Sequence, residues 1–174
     1  MNKTRIRDYG ISIGHLLCGT RNTITDVPGV TVGHCTVDTA DSKTGVTVIL
    51  PSKENIFQKK LMASSYVLNG FGKSAGLLQI NELGTLESPI ALTNTLSVGL
   101  VHEGLVEYMV ARCEKEQLPI HSFNPVVGEC NDCHLNNIKK EPSSPLMLEF
   151  PQFCPQNLQS ALLIIHNFQK MPKI

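Results

Sequence analysis

Glycine is distributed unevenly along this chain of 174 residues: all thirteen glycines lie at or before Gly128. Glycine is the residue that enters left-handed backbone freely and lets two backbones approach closely, so tight α/β folding draws on it. The 46 residues that follow Gly128 have no glycine and hold five of the ten prolines, from Pro142 to Pro172. Their one apolar run is Ala161-Leu-Leu-Ile-Ile165. The chain therefore divides into a glycine-punctuated part able to fold and a tail expected to pack poorly.

The first part reads as alternating strands and helices. Val30-Thr-Val-Gly-His-Cys-Thr-Val37 follows a Pro28-Gly29 turn signal, and Gly45-Val-Thr-Val-Ile-Leu50 is closed by Pro51. Dense β-branching in both predicts a hairpin with a long loop. Tyr66-Val-Leu68 is a short apolar run and a possible strand. Ala75, Leu77, Leu78, Ile80 and Leu83 recur at helical spacing, which predicts a helix from about residue 73 or 74 with Gly84 at its C-cap. Pro89-Ile-Ala-Leu-Thr93 predicts a third strand. A helix over about 98–116 follows, with Val101, Leu105, Val106, Met109, Val110 and Cys113 on its apolar face. Pro125-Val-Val-Gly-Glu129 predicts a fourth strand. The hairpin is expected to lie in a sheet covered by the 98–116 helix. The fold class is mixed α/β.

Charge narrows the function. Lys+Arg and Asp+Glu number 15 each, which argues against a general nucleic-acid or anionic-membrane binder. Trp is absent and aromatics are 5%, so base-stacking platforms are not expected. Met-Asn-Lys-Thr-Arg-Ile-Arg-Asp opens the sequence without an apolar run behind it, and no apolar stretch reaches membrane-spanning length. The expectation is a cytoplasmic protein with its six cysteines reduced.

Three local motifs carry possible chemistry. Gly70-x-Gly72-x-x-x-Gly76 opens a helix as a phosphate loop would, but no acidic residue ends the next strand, so it reads as a tight turn into the helix. Cys130-Asn-Asp-Cys133-His134 has c-type haem attachment spacing, yet no export signal and no further close ligands accompany it. It reads as coincidence, with a metal or redox module as the alternative. Thr93-Asn94-Thr95-Leu96-Ser97-Val98-Gly99 concentrates hydroxyls and a carboxamide where a strand meets a helix. An oxyanion hole uses such groups. Helix capping selects the same residue types, and the run leaves both readings open. The six histidines are scattered, and no Ser-His-Asp arrangement can be read from spacing.

Several segments in order resemble the L-aminopeptidase/D-esterase family, typified by DmpA, and its β-peptidyl aminopeptidase relatives. They are Asn22-x-Ile24-Thr25-Asp26-Val27-Pro28-Gly29-Val30-x-Val32-Gly33-His34, Thr44 to Ile49, Asn69-Gly70-x-Gly72, Pro89 to Gly99, and Pro125-Val126-Val127-Gly128-Glu129-x-Asn131-Asp132. The resemblance covers about residues 5–138. It implies domain bounds of 1–138 for the family's N-terminal (α-chain) region and 139–174 for a divergent tail. The implied fold is an α-β-β-α sandwich, incomplete here. The implied activity is release of N-terminal residues from peptides, amides or esters, without metal or other cofactor. It follows self-cleavage of a precursor before a Ser, which becomes an N-terminal nucleophile whose own amine assists as base. Products of that cleavage assemble as oligomers of αβ pairs. The family builds its cleft from the strand-helix junction, so Asn94, Thr95, Ser97 and Asn131 are the implied substrate or oxyanion residues.

The sequence departs from the family at the decisive place. The late Gly-rich segment bearing the nucleophile is absent, and Ser143, Ser144 and Ser160 have no such surroundings. The implication is a truncated or split member, inactive alone, acting as a remnant, as a homo-oligomer or as a partner for a missing β chain. Cys133 stands where the family has Gly, which predicts backbone strain if positive φ is required there.

Overall fold

The computed structural model describes residues 5–139, so the tail from residue 140 onward, including its expected poor packing, lies outside the described residues. Strands β1 (Thr31–Asp38) and β2 (Lys43–Leu50) form the expected antiparallel hairpin, in register from Thr31↔Leu50 to Asp38↔Lys43; the loop is short, residues 39–42, and not the long one expected, because the pairing runs on into the polar residues. A short β3 (Leu61–Met62), helix α1 (Leu77–Leu83) and β4 (Thr85–Leu86) follow, then β5 (Ile90–Asn94), helix α2 (Val98–Lys115) and β6 (Val126–Cys130). The main sheet has the order β1-β2-β5-β6, with β5 antiparallel to β2 and parallel to β6. Strands β3 and β4 pair as a separate antiparallel ribbon. That ribbon has no signature in the sequence pattern, because two-residue strands are too short for a period to show.

The core lies between α2 and one face of the sheet. Val46, Val48 and Leu50 alternate along β2 toward that face, with Ala91 and Val127 on the neighbouring strands. Val101, Leu105, Tyr108 and Met109 meet them from α2, and Leu105 and Met109 are fully buried. The helix thus covers the hairpin's sheet, as its apolar stripe requires. Val106 and Val110 are only half-buried; Gly104 and Tyr108 take their place in the buried stripe. Tyr108 enters the core because its hydroxyl accepts a hydrogen bond from Arg112 Nη1 at 3.1 Å. The opposite face is less covered. Cross-strand partners share a face, so Val32 and Ile49 lie with Thr47 and Leu92, and Leu92 is 43% exposed.

Helix α1 starts later than its apolar spacing suggests. Ala75 exchanges hydrogen bonds with Val127, its N–H reaching the Val127 carbonyl at 2.9 Å, so that residue is held as an extra β partner of β6. Gly76 then turns the chain at φ +82°, where an added Cβ would stand 2.4 Å from the Pro125 carbonyl oxygen. Gly84 ends the helix in left-handed conformation, as expected. No regular strand forms at Tyr66-Val-Leu68. Among the described residues no helix is long and apolar enough to cross a membrane.

A buried carboxylate ties β4 to the approach to β6. Glu87 accepts hydrogen bonds from the Asn124 N–H (2.9 Å) and side-chain amide (3.1 Å) and pairs with Lys60. Burial opposes its charge, but the bonds from Lys60 and Asn124 prevail and hold its carboxyl below the ordinary value of 4.5. Because the folded-state value is the lower one, this contribution is complete above the ordinary value. It is lost as pH falls through the folded-state value.

Two outcomes follow for stability. Met109→Ala should cost about 2–5 kcal/mol in a denaturant titration. Glu87→Gln should lower the melting temperature at pH 7 and flatten its fall between neutral and acid pH, measured by circular dichroism.

Candidate functional site

Strands β5 and β6 run parallel, so their carboxyl ends lie side by side, with Thr93 opposite Glu129 and Asn94 opposite Cys130. Clefts for ligands form outside the carboxyl ends of parallel strands in α/β sheets. Beyond β5 the chain makes one 3₁₀ turn, Thr95–Ser97, and enters α2. Asn94 organises this turn. Its carboxamide oxygen accepts the N–H groups of Leu96 (3.1 Å) and Ser97 (2.9 Å), and its Nδ2 donates to Thr44 Oγ1 at 3.1 Å.

The cleft has a volume of about 480 Å³, within the range of small-molecule sites. One wall is the strand ends, Thr95, Glu129, Cys130 and Asn131; the other is the segment 66–74 with the start of α1. Glu129 is its charged centre. The Thr95 hydroxyl donates to one carboxylate oxygen, and the Lys73 backbone N–H donates to the other at 3.1 Å. The Thr95 bond, aided by the Lys73 N–H and the Lys73 charge, outweighs desolvation and holds the Glu129 carboxyl below its ordinary value. Glu129 is therefore ionised at neutral pH. The apolar side of the cleft includes Tyr66, Leu68 and Phe71, each more than four-fifths exposed.

The residues expected from the sequence separate here. Thr95 and Asn131 line the cleft; Asn94 and Ser97 are buried behind it. The N–H groups of Leu96 and Ser97, which an oxyanion would need, are already taken by Asn94, so the capping reading of this run holds for them. The reason is local: an Asn at the end of a strand caps its own turn before any ligand arrives. Asn131 Oδ1 accepts the Cys133 N–H at 3.0 Å. Cys133 carries no strain of the expected kind, since the non-glycine residues with positive φ among those described are Asn22 and Gln117. Cys130 and Cys133 are exposed, and no three His, Cys, Asp or Glu side chains converge on a metal position among the described residues. Glu129 and Lys73 had no role in the sequence reading. The available signal was a lone acid closing the apolar strand Val126-Val127-Gly128.

The chain is similar to known proteins and solved structures. A β-peptidyl aminopeptidase of Sphingosinicella xenopeptidilytica is 37% identical over 143 residues, covering 77% of this chain and 35% of that protein. The structure of a Burkholderia sp. β-aminopeptidase matches with a TM-score of 0.72 and 40% identity, covering 86% of this chain and 42% of the other. The L-aminopeptidase D-Ala-esterase/amidase of Ochrobactrum anthropi, a prototype of the serine aminopeptidases, matches with a TM-score of 0.72 and 30% identity, over 87% of this chain and 44% of that one. The chain spans about a third of the length of the curated relatives it matches.

The sheet and its covering helix are thus part of an N-terminal-nucleophile hydrolase fold, in the variant represented by the Ochrobactrum enzyme. The family model for peptidase family S58 matches residues 22–149, and the chain belongs to that family.

The junction's first task is structural. Asn94→Ala removes the acceptor of two N–H groups and should cost about 1–2 kcal/mol of stability in chemical denaturation. Asn94→Asp, which keeps the acceptor, should lose less.

Proposed function

We propose that this chain supplies the substrate-binding part of an S58 serine aminopeptidase that releases N-terminal residues from peptides, amides or esters. In this reading it is inactive by itself. The observation that carries it is Glu129, an ionised carboxylate set in a cleft at the carboxyl ends of two parallel strands. An aminopeptidase must recognise a protonated α- or β-amine, and a fixed carboxylate is its complement. Thr95 orients Glu129, and Asn131 borders the substrate beside it. Asn94 and Ser97 act from behind, keeping Thr95 in place. The apolar wall of segment 66–74 receives the side chain of the residue to be released.

The acyl-transfer step needs a nucleophile with a base beside it. Ser74 borders the cleft but makes no side-chain hydrogen bond among the described residues, so nothing there activates it. The nucleophile is accordingly assigned to the family's self-cleaving segment, whose new N-terminal Ser would carry its own amine base. A second reading is a non-catalytic subunit that associates with an intact relative; the exposed Leu92 face of the sheet favours an association of that kind.

The purified chain should show no turnover of amino-acid p-nitroanilides. Supplying the remaining length of an S58 relative, fused or co-expressed, should restore it. In the restored enzyme Glu129→Gln should reduce kcat/KM about tenfold or more, chiefly through KM, as loss of a charge-assisted contact does. Turnover by the chain alone would place the nucleophile within it. A restored enzyme indifferent to Glu129→Gln would remove the amine site from Glu129, and association without turnover would favour the subunit reading.

A further inference from the structure

The cleft holds a second charge that recognition of an amine does not use. Lys73 borders it, and its ammonium donates to the Phe71 carbonyl at 2.9 Å and lies 3.9 Å from the centroid of the Phe71 ring. Among the described residues no carboxylate lies within ion-pair distance of this ammonium, and Glu129 has no ion-pair partner either. An ammonium has three N–H donors, so two remain after the bond to Phe71. The ring contact and the carbonyl restrict the lysine, which lowers the entropy lost when a ligand arrives. The Lys73 backbone N–H is bonded to Glu129, so the acid and the base of the lysine are fixed to one framework, with opposite charges on the same cleft.

We propose that Lys73 is a specificity-determining residue that binds the free carboxylate of a short zwitterionic peptide whose ammonium sits at Glu129. The proposal rests on reading the cleft as the aminopeptidase substrate site and names the substrate class: peptides of about dipeptide size with both termini free, preferred over the corresponding amides and esters. A cleft of about 480 Å³ accommodates a peptide of that size, and the preference follows from pairing a ligand with one charge at each end to a cleft that carries the two complementary charges.

The test is equilibrium binding to the 174-residue chain, followed by amide chemical shifts, with L-leucyl-L-alanine and L-leucyl-L-alanine amide as probes. These differ only in the terminal carboxylate. The wild-type chain should bind the free dipeptide about tenfold more tightly than its amide, the scale of one charge-assisted contact. Lys73→Met should abolish that preference by weakening binding of the free dipeptide without weakening that of the amide, and Lys73→Arg should keep it. Glu129→Gln should weaken both probes alike. Lys73 lies on an exposed segment, and the amide spectrum of each variant reports whether its fold is intact. Equal binding of the two probes by the wild type, or a preference that survives Lys73→Met, would overturn the proposal and leave the amine site standing. Failure of both probes to bind the wild type would overturn the reading of the cleft itself, and the role of Lys73 with it.

Discussion

The carboxamide of Asn94 joins three elements at once. Its oxygen holds the N–H groups that start the turn into α2, and its nitrogen reaches Thr44 on β2. Strand β5 is central in the sheet, paired with β2 on one side and β6 on the other. Where β5 stops therefore fixes where α2 begins, and hence which of its side chains meet Val46, Val48 and Val127. The same turn presents Thr95 to Glu129. One amide side chain thus couples the packing of the core to the geometry of the cleft, which is why the junction can look catalytic and act first as a cap.

The cleft depends on parallel pairing. Two neighbouring strands that end on the same side leave their last residues adjacent, and the helix connecting them is carried off to one face. Glu129 and Thr95 come together in that way across 34 residues of chain. The other wall is brought in by Ala75, whose bonds to Val127 dock the segment before α1 on the outer edge of β6. Gly76 permits this because a side chain there would run into the Pro125 backbone. The wall carries large apolar groups turned outward, Tyr66, Leu68 and Phe71, a costly arrangement unless a ligand or further protein covers them.

The two faces of the sheet are unequal. Helix α2 seals one, while Leu92 on the other remains substantially exposed beside Thr47. In proteins of this family the chain is more than twice as long as the stretch matched here. In an α-β-β-α sandwich each sheet carries helices on one face and the second sheet on the other; among the described residues this sheet has only its helix layer.

The sequence by itself determined the local elements and the family. The hairpin, the third and fourth strands and the 98–116 helix are legible because apolar residues recur with the period of the backbone that bears them, and Gly84 marks the end of α1 because the left-handed turn there favours glycine. Tertiary structure decided what periodicity cannot carry. It assigned Ala75 to an edge pairing instead of a helix, set Tyr108 in the core in preference to Val106, and turned Asn94 inward while leaving Thr95 and Asn131 on the cleft. It also brought Glu129 and Lys73 together, with the Lys73 N–H hydrogen-bonded to the Glu129 carboxylate. A charge in a sequence has no neighbours beyond a few residues. Its ionisation, its free donors and the ligand it can hold come from groups that folding brings to it from elsewhere in the chain.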